Sequence, residues 1–182
     1  MMNFETLALN RLSQNYDIKP FSCGDADLDG FLFEDAKKYL TELMAVTYIL
    51  ENRNSTVAYF CWLNDKVVFD TSDIQEKSFW NRFNRRNRIP NPKRRQNYPA
   101  VKIGRLAVNK EFNGQGIGRF ILDTIKSLLL EKMDIGCRFI TVDAYQSAFD
   151  FYKKNGFDFL SSEDERESTR LMYFDLKSIA SQ

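Results

Sequence analysis

Ile103-Gly104-Arg105-Leu106-Ala107-Val108-Asn109-Lys110-Glu111-Phe112-Asn113-Gly114-Gln115-Gly116-Ile117-Gly118-Arg119-Phe120-Ile121 is the stretch around which the chain is organised. Its first part, Ile103 to Val108, is apolar enough for a buried strand. Beyond it Ile117, Phe120, Ile121, Thr124, Ile125, Leu128 and Leu129 recur at helical spacing, so a helix begins inside the glycine run. A strand, a glycine-rich turn and a helix start make an anion site. Amides of the first helical turn are unpaired and point outward, and the macrodipole adds to their pull on a phosphate. The glycines at 114, 116 and 118 are expected to admit positive φ and to keep Cβ atoms off a pyrophosphate. The spacing is not G-x-x-x-x-G-K-[ST], which excludes a triphosphatase loop. It is not G-x-G-x-x-G either, because Arg119 and Phe120 follow Gly118. A turn and helix start with no ligand is the plain alternative.

A second motif lies about thirty residues downstream: Ala148-Phe149-Asp150-Phe151-Tyr152-Lys153-Lys154-Asn155-Gly156-Phe157. Together with Leu106-Ala107-Val108 and the glycine run, it resembles the GNAT family of acetyl-CoA-dependent N-acetyltransferases. The run looks like that family's (Gln/Arg)-x-x-Gly-x-(Gly/Ala) pyrophosphate loop, and the later stretch like its A-x-x-F-Y-x-x-x-G-F signature. Two departures stand out. Asn113 occupies the position usually held by Gln or Arg, and Tyr145 the position where Asn is often found.

The resemblance implies an α/β (α+β) fold with a central, mixed, mostly antiparallel sheet flanked by helices. Its central strands, Ile103 to Val108 and Arg138 to Ala144, would splay to grip pantetheine. It implies acetyl-CoA as cosubstrate and no metal, with contacts from Leu106, Ala107, Val108, Asn113, Gly114, Gln115, Gly116, Ile117, Gly118, Arg119 and Tyr145. Tyr152 aligns with the tyrosine that serves as general acid in many of these enzymes. A phenol with a pKa of about 10 stays protonated at neutral pH and can protonate a departing thiolate. The alternative for Tyr152 is a packed aromatic on a helix. Glu51, Asp143 and a water relay are the candidates for a base.

Composition sets the remaining bounds. The 182 residues, 43% hydrophobic, suffice for one sizeable core, so a single domain over 1–182 is expected, with 72–99 as a basic helix-and-loop insert. Charges nearly cancel at +1, which gives no global argument for nucleic acid or a membrane. No run approaches the ~20 apolar residues of a membrane helix, and Met1-Met2-Asn3-Phe4-Glu5 lacks a secretory pattern. A cytoplasmic protein is expected. Cys23, Cys61 and Cys137 are odd in number and far apart, which suggests neither a disulfide framework nor a zinc site. With no histidine, Ser-His and Cys-His nucleophiles and His-ligated metals are excluded.

Along the chain, Thr6 to Leu12 reads as an opening strand. Asp25 caps a helix with the apolar stripe Leu28, Phe31, Leu32, Ala36, Tyr39, Leu40 and Leu43. Ala45 to Glu51 and Thr56 to Asn64 form a hairpin around Asn52-Arg53-Asn54-Ser55. Ser72-Asp73 opens a helix over 74–88, and Pro99 marks the far edge of a polar connector. Helices over 116–133 and 146–155 and strands over 138–144, 157–160 and 170–176 complete the order.

Between Lys77 and Lys110 there are eleven basic residues and no acidic one; seven of them are Arg82, Arg85, Arg86, Arg88, Lys93, Arg94 and Arg95. A solvated face balanced by Glu163, Asp164, Glu165 and Glu167 is one reading. A patch for RNA, an acidic peptide or the 3′-phosphate of CoA is the other. Phe21-Ser22-Cys23-Gly24 and Leu28-Asp29-Gly30-Phe31-Leu32 are similar to the first helix of GNAT toxins that acetylate aminoacyl-tRNA, although ordinary members share this opening. Two functions are therefore carried forward. One is acetyl transfer to an amine, with tRNA and a small antitoxin as partners if the toxin likeness is specific. The other is a non-catalytic CoA-binding module. Either is compatible with a monomer or a homodimer.

Overall fold

The computed structural model describes residues 4–69, 74–90, 96–131, 136–161 and 167–180, with backbone alone at 74–76. Seven strands lie in the order β1-β2-β3-β4-β5-β7-β6, and the pairing is mostly antiparallel. The chain divides into two compact units, Met1–Leu63 with Ile103–Leu128, and Asn64–Lys102 with Leu129–Gln182.

In the first unit, β1 (Ala8–Arg11) pairs antiparallel with β2 (Val46–Glu51), and β2 with β3 (Thr56–Val68). The hairpin turns where expected. The Asn52 carboxamide oxygen accepts from the amides of Asn54 and Ser55 at 2.8 Å each, a side-chain substitute for a backbone turn. Asp25 caps α1 (Ala26–Gly30) by accepting from the amides of Asp27 and Leu28. The helix continues through a π turn, Phe31–Asp35, into α2 (Ala36–Thr41). Phe31, Leu32 and Ala36 are buried in a core with Leu12, Phe21, Ala45, Ile49, Tyr59, Cys61 and Ala107.

Leu43 corrects the stripe expected for this helix. It is 91% exposed, at φ 56°. The amide of Met44 reaches the carbonyl of Tyr39, and that of Leu43 the carbonyl of Leu40. This pattern puts Leu43 at the left-handed position just past the helix end, beyond the core-facing turns.

The second unit contains the later part of β3, the start of β4 (Asn97–Val108), and β5 (Phe139–Tyr145), β6 (Asp158–Phe159) and β7 (Thr169–Asp175). β4 and β5 pair in parallel at Ala100↔Phe139, Val101↔Ile140 and Lys102↔Thr141, and β5 pairs with β7 along its full length. Strand β3 runs past Asn64 because Val67 and Phe69 enter a core with Trp80, Phe83, Tyr98, Ala100, Phe139, Leu160 and Tyr173. β4 likewise begins earlier than expected. Pro99 lies inside it and contributes only its carbonyl, which accepts from the amide of Arg138 at 3.0 Å. α3 (Ile74–Arg86) packs onto this core through Trp80 and Phe83. The indole of Trp80 donates to the Tyr98 hydroxyl, which donates to Asn84 Oδ1 at 2.6 Å. Ser72, Asp73, Pro92, Lys93, Arg94, Arg95, Glu163, Asp164 and Glu165 lie outside the described residues.

Candidate active site

Leu106 to Arg119 fall in the first unit and Tyr145 and Tyr152 in the second. In the first unit, β4 ends at Val108, with Ala107 buried and Leu106 and Val108 half-buried. Asn109 sets the exit. Its amide donates to Val57 O, its Nδ2 to Thr56 O, and its Oδ1 accepts from Glu111 N. After a single 3-10 turn over Lys110–Phe112, the chain reaches Gly114 at φ 75° and Gly116 at φ 81°.

A Cβ at either glycine meets nothing within 4 Å, so the need there is conformational and the space above the turn is open. Gly118 lies inside α4 (Ile117–Glu131), within the helix expected over 116–133, and is not among the positive-φ glycines. The first amide engaged is that of Phe120, which donates to Gly116 O at 3.0 Å. Among the described residues, the six amides from Gly114 to Arg119 donate to no backbone carbonyl and meet no capping side chain. Residues 113–116 and 119 are exposed. Exposed, unpaired N–H groups on positive-φ glycines at the start of a fifteen-residue helix fit a pyrophosphate. α4 is held by Ile117, Ile121, Leu122, Ile125 and Leu129, all buried. The Arg119 side chain leans toward Asp123, 3.7 Å away.

The same strand carries a residue missing from the expected set. Arg105 Cζ lies 4.1 Å from the centre of the Phe31 ring, and a terminal nitrogen is 3.9 Å from Asp27. Its Nε is buried with no hydrogen-bond partner among the described residues. Strand alternation places it on the side of Ala107, facing the helix that begins at Asp25. No local motif marks this contact, because Phe31 is distant in sequence.

In the second unit, Tyr145 ends β5 and is 56% exposed. Tyr152 lies on α5 (Phe149–Lys154), is 6% exposed, and packs against Phe151 and Phe157. Burial alone pushes its phenol up to about 12, so it is fully protonated throughout the physiological range. α5 ends in a glycine cap. Gly156 sits at φ 87°, its amide donates to Lys153 O, and that of Phe157 donates to Tyr152 O.

The two carboxylates considered as bases are both engaged. Glu51 accepts from the Tyr16 hydroxyl at 2.7 Å and from Lys19 Nζ at 2.9 Å. Asp143 pairs with Lys102. The cysteines are poor nucleophiles. Burial pushes the Cys61 and Cys23 thiols up to about 11 and raises that of Cys137.

Residues 92–177 match the acetyltransferase (GNAT) domain family. Likeness to solved structures extends over nearly the whole chain. A tyrosine-to-phenylalanine mutant of KacT is similar at TM-score 0.75 and 25% identity, over 97% of this chain and 98% of that one. AtaT complexed with acetyl-methionyl-tRNAfMet is similar at TM-score 0.72 and 24% identity, over 95% and 96%. A mutant AtaT toxin bound to the C-terminus of the antitoxin AtaR and acetyl-CoA is similar at TM-score 0.72 and 22% identity, over 96% of each chain. The chain has the GNAT fold, and its residues 92–177 are similar to the GNAT acetyltransferase domain. It is an enzyme of the N-acetyltransferase class. No helix among the described residues is long and apolar enough to cross a membrane.

Proposed function

We propose that the protein moves the acetyl group of acetyl-CoA to the free α-amino group of aminoacyl-tRNA, acting as a toxin restrained by a small antitoxin. The observation that carries the cosubstrate is the run of unpaired amides from Gly114 to Arg119, a cradle for the pyrophosphate of CoA. Leu106, Ala107 and Val108 supply backbone groups to pantetheine, one of which polarises the thioester carbonyl. Asn113, Gln115 and Arg119 border the phosphates, and Tyr145 takes the place of the family's usual Asn.

The acceptor is argued from proton chemistry and from the likeness to AtaT. An attacking amine must be neutral. An α-amino group, with a pKa of about 7.7–8.0, is substantially neutral near pH 7.5, whereas a lysine amine at about 10.4 needs a strong base. Glu51 and Asp143 are both committed to cations. AtaT, similar over nearly its whole length, has been seen with acetyl-methionyl-tRNAfMet.

In the reaction the amine nitrogen forms a bond to the thioester carbon and the carbon–sulfur bond breaks. The sulfur leaves with the electron pair, and the amine's extra proton passes to water. Tyr152 offers its phenolic O–H to the departing sulfur as a hydrogen-bond donor. A phenol near 12 facing a thiol of about 8.5 does not donate outright. Tyr152 therefore hydrogen-bonds the sulfur as charge develops and keeps its proton, and the released thiolate is protonated from the solvent that took up the amine's proton.

Radiolabelled acetyl-CoA incubated with the protein and a cell extract tests this reading. Label should appear on RNA and be lost when mild base hydrolyses the aminoacyl ester. Label on protein or small amines would overturn the acceptor, and no label anywhere would favour the CoA-binding module.

A further inference from the structure

The basic stretch around α3 has a use of its own. A cavity of about 540 Å³ is lined by Arg86, Asn87, Arg88, Arg138, Asp175 and Lys177, together with Pro90 and Ser178. All belong to the second unit, and none belongs to the glycine loop. We infer that this cavity is a phosphate site for a polynucleotide backbone, an inference that rests on aminoacyl-tRNA being the acceptor.

Four cations and one carboxylate line the cavity. The carboxylate is saturated from within. Asp175 accepts from Arg138 Nη2 at 2.8 Å, lies 2.7 Å from Arg138 Nε, and accepts from the amide of Lys177 at 2.9 Å. It therefore fixes the wall and offers little repulsion to an anion. Arg138 is pinned further by donating to Asn87 O at 2.7 Å, and Arg86 is tied to Asp158. Arg88 differs. It is exposed, with no ion pair among the described residues.

The backbone at Arg88 is the second observation. Arg88 sits at φ 48°, just past the end of α3, where the amide of Ile89 reaches Asn84 O and its own amide reaches Arg85 O. Glycine or asparagine is favoured at that left-handed position. The exposed guanidinium there lines a cationic cavity and is open to a ligand. A planar fork of donors suits phosphate oxygens.

Arg88→Gly separates a binding role from a structural one, because it removes the charge and relieves the backbone. The probe is a fluorescein-labelled RNA hairpin with a single-stranded CCA end, titrated with the full-length protein by anisotropy at several KCl concentrations. Arg88→Gly is expected to melt at or above the wild-type temperature. It should bind the hairpin several-fold more weakly, with a log–log salt slope shallower by about 0.7–0.9 for the lost phosphate contact. Arg88→Lys should recover much of the slope. Unchanged affinity and slope in Arg88→Gly would overturn the site. Competition by inorganic phosphate or by polyglutamate as effective as unlabelled hairpin would also overturn it, by assigning the cavity to a small anion or an acidic peptide. The acceptor reading fails separately. Hairpin binding that depends on Arg88, without acetylation of charged tRNA, would leave this site standing and remove the acceptor.

Discussion

Tyr152 gives Phe157 both its backbone and its ring. Its carbonyl accepts from the Phe157 amide at 3.0 Å, and the two rings meet edge-on with centroids 5.3 Å apart. The turn through Gly156 that closes α5 thus fixes the phenol of the proposed donor. Replacing Tyr152 by Phe keeps the ring contact and removes only the hydroxyl. Acetyl transfer should fall by about 10²–10⁴-fold with acetyl-CoA affinity nearly unchanged. Single-turnover kinetics beside calorimetric binding check this; full turnover removes Tyr152 from the mechanism.

The pH–rate profile follows from the same pKa. With the phenol pushed up to about 12, Tyr152 imposes no alkaline limb below pH ~10. The limb that remains is the acceptor amine. kcat/KM on an α-amino acceptor should rise with unit slope to about pH 8 and then stay flat. An additional decline between pH 8 and 10 would indicate a different acid.

Alkaline stability has a definite sign. Tyr16 and Tyr152 are pushed up to about 12, and Tyr59 and Tyr173 are raised as well, in each case chiefly by burial. Above pH ~10 the unfolded chain loses phenolic protons that the folded chain retains, so stability falls as pH rises from there. The urea midpoint should be unaffected by these groups up to about pH 9.5 and decline beyond it. Tyr152→Phe should decline less steeply.

Leu43 and Gly156 occupy equivalent left-handed positions after their helices, with opposite residue choices. Leu43→Gly should stabilise the fold by about 1 kcal/mol, since the leucine buries little there. Gly156→Ala should destabilise by about 1–2 kcal/mol, because its Cβ would also lie 3.0 Å from the Phe174 ring. Thermal melts of the two variants should shift in opposite directions.

Much of this was legible in the chain itself. The periodicity of Ile117, Ile121, Ile125 and Leu129 marked α4, and the glycines before it marked the amide cradle, because both signals are local. Pro99 was read as a boundary, yet a carbonyl alone sufficed for its place in β4. Leu43 fell out of its stripe because a π turn and a helix end intervene, and this end carries leucine where glycine would have marked it. Arg105 on Phe31 and the cavity joining Arg88 to Arg138 needed tertiary contacts between distant residues.

The most direct test is the mass of the aminoacyl-adenosine fragment released by nuclease from charged tRNA after incubation with the protein and acetyl-CoA. A gain of one acetyl group on the amino acid, absent with uncharged tRNA and strongly reduced in Tyr152→Phe, is the predicted result. An unmodified fragment, under conditions where the protein acetylates a small amine or a peptide, would contradict the account.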